Sequence, residues 1–164
     1  MKIGDCMKRS VISIPLDATL REATILFTYH HIGTLPVVDN NGKLAGFLRA
    51  HDLLFLTMPD FVRLVDHFEF VHDFGAVENR QPAPEQLSLP VKKIMKPPVF
   101  VEEKSGLLRA AALLHRHNLS DLPVVDSQQR LVGIASHVDI STALMSNWQL
   151  TDPHSGDLKA DVHT

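Results

Sequence analysis

The sequence contains an internal repeat at a spacing of 87 residues. Residues 12–53 align with residues 99–140 without a gap, and twelve of the 42 positions are identical. Leu-Pro-Val-Val-Asp occurs at 35–39 and again at 122–126, and a Gly-x-x-x-x-x-Asp stretch follows each copy, at 46–52 and 133–139. A repeat of this length constrains the fold strongly, because the same supersecondary unit must occur twice and each copy must bury its apolar face against a neighbour.

Each copy carries local patterns in the order β-α-β-β-α. In the first copy, residues 11–14 form a β-rich run that Pro15 stops, and an apolar stripe at helical spacing follows, which we take to include Ile25. Asp17 or Thr19 is suited to cap this helix. An apolar strand, a turn, a second strand and a second helix complete the unit. In the second copy, residues 99–101 predict the first strand.

The repeat divides the chain into four parts. We expect a first unit with the N-terminal segment over 1–57, a segment over 58–90, a second unit over 91–146 and a polar tail over 147–164. Within the segment, 58–74 predicts a helical extension and 75–90 a proline-rich linker. Units of about 50 residues are marginal alone, so we expect an α/β (α+β) fold in which the units pack through their sheets. Pseudo-twofold symmetry would then create two equivalent clefts.

Composition disfavours several classes of protein. The net charge of −3 argues against a nucleic-acid surface, where a basic stripe is expected. The apolar runs are too short to span a bilayer, so we expect no membrane partner. Cys6 is the only cysteine, which excludes an intrachain disulfide, and a cytoplasmic location is expected. The ten histidines lack the spacing of a metal site, so no metal is predicted.

The two hallmarks together resemble a known family. The apolar-Pro-Val-Val-Asp strand and the Gly-x-x-Ser-x-x-Asp stretch of 133–139 are similar to those of the CBS domain, in a small stand-alone bacterial pair or Bateman module. The resemblance covers roughly 3–57 and 91–146. It implies a regulatory module that senses AMP, ADP or ATP without a required cofactor, forms a homodimer and acts on an unknown partner protein. S-adenosylmethionine is an alternative ligand.

The resemblance also assigns roles in the second repeat. Asp139 would accept hydrogen bonds from the ribose hydroxyls and Ser136 would reach the phosphate, beside Gly133, Ile134 and His137. A carboxylate suits a ribose because it accepts two bonds, and the amides of a helix N-terminus favour an anion. The adenine side is expected at Val99, Phe100, Asp121, Leu122 and Pro123.

The first repeat departs from the pattern at one position. Asp52 and the Thr34-Leu35-Pro36 stretch match, but Arg49 stands where the family has a serine or threonine. Arginine grips a phosphate well, yet it is bulky enough to fill the cleft. The two clefts are therefore expected to differ.

Several alternatives remain open from the sequence. Asp52 and Asp139 would each also serve as an acidic residue in the first turn of a helix. An interaction protein with degenerate clefts is the main alternative function, and a cleft filled by Arg49 favours it. His137 is placed to make phosphate binding depend on pH. No nucleophile elbow, P-loop or Gly-x-Gly-x-x-Gly motif occurs, so we expect binding and no enzymatic activity.

Overall fold

The computed structural model describes residues 1–56 and 81–148, which form two three-stranded sheets and their helices. The strands are β1 (Ile14–Pro15), β2 (Thr34–Val38), β3 (Leu44–Arg49), β4 (Val101–Glu102), β5 (Asp121–Val125) and β6 (Leu131–Ser136). The helices are α1 (Leu20–His30), α2 (Ala50–Leu54), α3 (Pro84–Leu87), α4 (Leu107–His117) and α5 (His137–Met145). The predicted β-α-β-β-α order is thus confirmed in both repeats.

The two sheets have the same topology and register. β1 runs parallel to β2, with Ile14 opposite Val37, and β2 runs antiparallel to β3. β4, β5 and β6 repeat this arrangement, with Val101 opposite Val124. The first strand of each sheet is shorter than predicted and lies further along the chain. Pro15 belongs to β1 and does not stop it, because a proline is tolerated on an edge strand.

Helix α1 packs on its sheet through a narrower stripe than predicted. Leu20, Ala23 and Phe27 are buried, but Ile25 is 57% exposed. Ile25 is five residues after Leu20, which turns its side chain about 140° away from the core at 3.6 residues per turn. The inclusion of Ile25 in the stripe was therefore wrong.

A capping box decides where α1 begins. Thr19 Oγ1 accepts a hydrogen bond from the Glu22 amide at 3.3 Å, and Glu22 Oε2 accepts one from the Thr19 amide at 2.7 Å. These bonds satisfy two backbone donors that a helix start leaves unpaired. Asp17, the other candidate cap, instead forms an ion pair with Lys92.

Each repeat is completed by the chain segment that precedes the other repeat. The amides of Ile3 and Gly4 donate to the carbonyls of Ser105 and Glu103 at 2.9 and 3.1 Å, and Lys8 exchanges two backbone bonds with Ile134. Ile3 and Met7 consequently belong to the core of the second repeat. The N-terminal segment, which we expected to belong to the first unit, packs on the second.

The same exchange occurs in the opposite direction. The Leu20 amide donates to the carbonyl of Leu89 at 2.8 Å, and Phe47 exchanges two backbone bonds with Lys96. Val91 is fully buried in the core of the first repeat. We call residues 2–8 and 89–96 the entry segments. Neither repeat has a complete core without the entry segment of the other.

The two hairpins also bond to each other. The Leu44 amide donates to the carbonyl of Gln129, and the Leu131 amide donates to the carbonyl of Gly42, both at 3.0 Å. Gly42 adopts the positive φ of 75° that Asn-Gly turns favour, and Gln129 takes the equivalent conformation with a φ of 63°. These bonds join the sheets about the pseudo-twofold axis.

Some predictions about the connecting regions are corrected or lie outside the described residues. The linker predicted for 75–90 contains α3, which begins with Pro84 in the first turn, where its missing N–H costs nothing. The helical extension predicted for 58–74, residues 75–80 and most of the tail from 147 lie outside the described residues.

The repeated glycine of each copy lies directly beneath an entry segment, and this contact predicts unequal effects of mutation. A Cβ at Gly46 would lie 2.5 Å from the Lys96 carbonyl oxygen, whereas one at Gly133 would lie 2.3 Å from Met7 Sδ. A backbone carbonyl cannot turn aside, but a methionine side chain can. We expect Gly46→Ala to lower the free energy of unfolding by about 3 kcal/mol and Gly133→Ala by about 1 kcal/mol, measured by urea denaturation.

A second substitution provides the control. Met7→Ala should relieve part of the cost of Gly133→Ala in a double-mutant cycle, because the methionine side chain is the obstacle there. It should relieve none of the cost of Gly46→Ala. Equal costs at the two glycines, or a larger cost at Gly133, would contradict the packing described.

Candidate functional site

Ser136 and Asp139 form a capping box at the start of α5. Asp139 Oδ2 accepts hydrogen bonds from the Ser136 amide at 2.8 Å and from Ser136 Oγ at 2.7 Å, while the Asp139 amide donates to Ser136 Oγ at 3.1 Å. The structural role considered from the sequence is therefore real. It occupies only one carboxylate oxygen, since Oδ1 accepts no hydrogen bond from the residues that the structure describes.

Lys8 supplies a positive charge beside this carboxylate. Its Nζ lies 3.7 Å from Asp139 Oδ2, and the two side chains are 66% and 18% exposed. Partial burial raises the pKa of the Asp139 carboxyl, but the hydrogen bonds from Ser136 and the charge of Lys8 outweigh it, so that this pKa lies below its ordinary value. Asp139 is consequently an anion at neutral pH.

A cleft of about 240 Å³ is built from both repeats and is lined in part by Lys8, whose ammonium lies 3.7 Å from Asp139. Asp139 and Ser136 are beside this cleft through Lys8 and are not themselves among the described residues that line it. Residues 10–12 and 31–34 of the first repeat line one side, and Asp121, Ile134 and Lys8 line the other. Val11, Ile12 and Ile32 make part of the wall apolar. We call this space the Asp139 cleft.

The Asp139 cleft does not contain all the residues predicted for it. Val99 packs against the core of the second repeat, and Phe100 lines a different space with Ser105 and Arg109. The residues that flank the Asp139 cleft in their place are Val11 and Ile12, which come from the first repeat. Adjacent strands in one repeat were assumed to serve one cleft, whereas the entry segments draw the two repeats together around each cleft.

Several other predicted site residues are buried in the core or in a strand and do not line the cleft. Leu35 and Leu122 are fully buried, each in the core of its own repeat. Pro36 and Pro123 are buried in the middle of β2 and β5. Gly133 lies under Met7 and is needed for that close approach. Ile134 and Asp121 do line the Asp139 cleft.

Thr34 contributes an unusual polar group to the Asp139 cleft. The residue is only 3% exposed, yet its Oγ1 has no hydrogen-bond partner among the described residues. A buried hydroxyl without a partner costs free energy. Such groups are rare in native proteins, and a missing ligand or water is a common explanation.

Arg49 changes the equivalent position in the first repeat. Its Nε and Nη2 donate to the two carboxylate oxygens of Asp52 at 2.9 and 2.7 Å, and its Nη1 donates to the carbonyl of Asn118 at 3.4 Å. Burial raises the pKa of Asp52, but the bonds and charge of Arg49 and the charges of Lys96 and His51 together hold it below its ordinary value. Both oxygens of Asp52 are thus already engaged.

His137 and Ala50, which occupy equivalent positions in the two repeats, line a second space. This space of about 350 Å³ is lined by His137, Ala50, Gly33 and Ser120 among others, and Arg49 reaches it. The His137 amide donates to the carbonyl of Ser120, and the Ala50 amide donates to that of Gly33, both at 3.0 Å. We call this the His137 space. Gly33 lines both the His137 space and the Asp139 cleft, so the two adjoin.

The sequence reasoning missed Lys8, residues 10–12 and His31. One signal was present, since Met7-Lys8 recurs as Met95-Lys96 just before the second repeat. Lys96 Nζ lies 4.0 Å from Asp52 Oδ1, in the same relation that Lys8 has to Asp139. A repeated lysine outside the gapless alignment was a hint of a repeated role.

Within 1–56 and 81–148, no three His, Cys, Asp or Glu side chains are grouped as metal ligands would be. The helices in these ranges are too short or too polar to cross a bilayer.

The sequence has relatives of the same kind. The profile of the CBS domain family matches residues 3–58 and 91–146. A CBS domain-containing protein of Dictyostelium discoideum is 33% identical over 155 residues, which cover 93% of this chain and 97% of that protein. That relative is a stand-alone protein of similar length. It is not bacterial, so the bacterial type expected from the sequence stays a prediction.

Solved structures confirm the fold. CBSX2 from Arabidopsis thaliana matches with a TM-score of 0.68 and 26% identity, over 88% of this chain and 94% of that one. A crystal structure of CBSX2 in complex with AMP has a TM-score of 0.66, 24% identity and coverage of 88% and 96%. The CBS domain pair of protein MJ0100, in complex with 5′-methylthioadenosine and S-adenosyl-L-methionine, has a TM-score of 0.65, 22% identity and coverage of 89% and 97%.

The profile match, the full-length relative and the fold agree with the repeated strand and aspartate motifs. The chain belongs to the CBS domain family and contains a tandem pair of CBS domains.

Proposed function

We propose that the protein is a regulatory module that binds an adenosine-containing ligand, AMP, ADP or ATP, in the Asp139 cleft. Binding changes how the two repeats sit on each other, and a partner protein senses the change. The activity proposed is binding and not catalysis.

The observation that carries this proposal is the grouping of three incompletely satisfied groups around one cleft. Lys8 and Thr34 line the cleft, and the mostly exposed Lys8 ammonium lies beside Asp139. Among the described residues, Asp139 Oδ1 accepts no hydrogen bond and the buried Thr34 hydroxyl has no partner. A ribose diol offers donors to the carboxylate. The apolar wall at Val11 and Ile12 suits a base, since ligand sites are mostly apolar with a few polar groups that set orientation.

The adjoining His137 space has room for the phosphates of such a ligand. A ligand whose ribose lies beside Asp139 would direct its 5′ substituent either toward Lys8 or past Gly33 into the space lined by His137 and Ser120. Lys8 carries a positive charge. A nucleotide is therefore a better fit than a nucleoside without phosphate.

The complexes of similar folds support the same ligand class. CBSX2 was crystallised with AMP, and the MJ0100 pair with 5′-methylthioadenosine and S-adenosyl-L-methionine. All three ligands share the adenosine half. Because the second complex holds a sulfonium compound, S-adenosylmethionine is the alternative ligand for this protein.

The position of the cleft explains how binding would act at a distance. Its walls come from both repeats, so an occupant contacts both and favours one relative arrangement of them. A ligand shifts a conformational equilibrium by its difference in affinity for the two states. The entry segments, which cross between repeats, connect this arrangement to both cores.

The direct test is calorimetric titration with AMP, ADP, ATP and S-adenosylmethionine. We expect saturable binding of one of them, weakened about tenfold or more in Asp139→Asn, which corresponds to about 1.4 kcal/mol or more. Asparagine can still accept the hydrogen bond from the Ser136 amide in the capping box of α5, but it accepts fewer bonds from a ribose. Asp17→Asn removes an exposed carboxylate that pairs with Lys92, and should leave binding unchanged. Silence across the panel from folded protein would favour the interaction protein with degenerate clefts.

Thr34 allows a test in which stability and binding should move in opposite directions. Thr34→Val removes the unpartnered hydroxyl at nearly constant shape, so the free protein should gain about 1 kcal/mol in urea unfolding. The same change should weaken ligand binding, whereas Thr34→Ser, which keeps the hydroxyl, should not. Unchanged affinity in Thr34→Val would show that the hydroxyl has no ligand role.

We also propose that the protein forms a homodimer through its outward helical faces. Tyr29, Leu108 and Val138 are 79%, 75% and 68% exposed, although they are large and apolar. Sedimentation velocity should show a dimer at micromolar concentration, and a Leu108→Glu/Val138→Glu variant should shift it toward monomer. A wild-type monomer at all concentrations would reject the proposal.

A further inference from the structure

We propose that Arg49 is a built-in occupant of the first-repeat cleft, so that the protein takes up one adenosine ligand per chain, at Asp139. This inference rests on the proposed function, and it adds the stoichiometry and the residue that sets it. On the Asp52 side the guanidinium occupies both carboxylate oxygens that a ribose would need, and substitution of Arg49 frees them.

Both carboxylate oxygens of Asp52 are already bonded to Arg49. Arg49 Nε contacts Oδ2 at 2.9 Å and Arg49 Nη2 contacts Oδ1 at 2.7 Å. This fork matches a carboxylate in two places at once. A ribose diol would need the same two acceptors. At the other site Ser136 engages only Oδ2 of Asp139.

The pseudo-twofold symmetry relates the position of the Arg49 guanidinium to the open cleft beside Asp139. Arg49, Asp52 and Asn118 are separated by 87 residues from Ser136, Asp139 and His31 respectively. Asn118 and His31 have the same left-handed conformation, with φ of 49° and 50°, so their carbonyls are equivalent acceptors. His31 lines the open cleft beside Asp139. On the other side, the Arg49 guanidinium bridges Asp52 and the Asn118 carbonyl. The arginine thus lies in the region that corresponds to the open cleft.

A ligand at Asp52 would have to replace a partly buried ion pair. The Arg49 and Asp52 side chains are only 21% and 28% exposed, so their attraction is poorly screened. A ribose is neutral and cannot substitute for the positive charge. Lys96 and His51 lie 4.0 and 3.8 Å from Asp52 Oδ1 and crowd the same carboxylate. Displacement of Arg49 by an adenosine ligand is therefore unfavourable.

The arginine also makes the two sides of the molecule different in mechanism. Its Nη1 bond to the Asn118 carbonyl runs from the first repeat to the second. On that side a side chain bonds across the cleft to the other repeat, whereas Ser136 on the Asp139 side bonds to Asp139 within its own repeat. The response to the ligand is consequently confined to one cleft.

The test is the number of ligands bound per chain. AMP, ADP, ATP and S-adenosylmethionine are each titrated calorimetrically into the full chain, with folding checked by circular dichroism. We expect one site in the wild type, two in Arg49→Ser, which restores the hydroxyl residue of the second repeat, and one in Arg49→Ser/Asp52→Asn. Arg49→Thr is the second variant if the serine variant does not fold. Arg49→Lys keeps a long cation and should remain at one site.

Each result decides between the two proposals. Two sites in the wild type, or one site in both the wild type and a folded Arg49→Ser, would overturn the role of Arg49 while leaving the proposed function intact. No wild-type binding but one site in Arg49→Ser, lost with Asp52→Asn, would support the role of Arg49 and reject the Asp139 site. No binding by any folded variant would overturn both.

Discussion

The backbone pairing between the entry segments and the opposite repeats is the interaction on which the rest of the structure depends. Lys8 pairs with Ile134, and Lys96 pairs with Phe47. A unit of about 50 residues buries too little surface to be stable by itself. Here the core of each repeat includes residues from the entry segment that precedes the other repeat. This exchange requires the glycine of the repeated motif, because any side chain at Gly46 would meet the Lys96 carbonyl. The repeated glycine is thus required for the close packing of the entry segment.

The exchange also forms the cleft in which we propose that the ligand binds. Because each entry segment ends beside the start of the opposite repeat's last helix, it brings a lysine to each signature aspartate, Lys8 to Asp139 and Lys96 to Asp52. It also places residues 10–12 of the first repeat next to residues of the second. The binding cleft is therefore a product of association between repeats. A change in their relative position alters its walls, which is the physical basis for a regulatory role.

Two repeats of the same topology acquire different properties through one side chain. Ser136 is short, so it caps α5 and leaves space and an unbonded oxygen at Asp139. Arg49 is long and charged, so it pairs with Asp52 and reaches the other repeat. The buried Thr34 hydroxyl lies on the open side, at a cost that packing does not repay. A locally unfavourable feature of this kind is typical of functional sites.

The sequence by itself determined the features that depend on neighbours along the chain. The β-α-β-β-α order, the Asn-Gly turn and the assignment of Asp139 to the start of a helix follow from local periodicity and turn chemistry. The gapless repeat also implied pseudo-twofold symmetry and unequal clefts, since Arg49 and Ser136 stand at equivalent positions.

Only the tertiary structure decided which segments meet across the symmetry axis. Local patterns carry no information about exchange between repeats, so Val99 and Phe100 were assigned to a cleft that residues 10–12 flank. Local patterns also do not show whether Arg49 pairs with Asp52 or with a ligand, because that depends on the distance between the two side chains and on their burial. That the Thr34 hydroxyl has no hydrogen-bond partner in the described part of the chain likewise appears only from the three-dimensional arrangement of its neighbours. Composition and period specify the units, whereas the contacts between units specify the site.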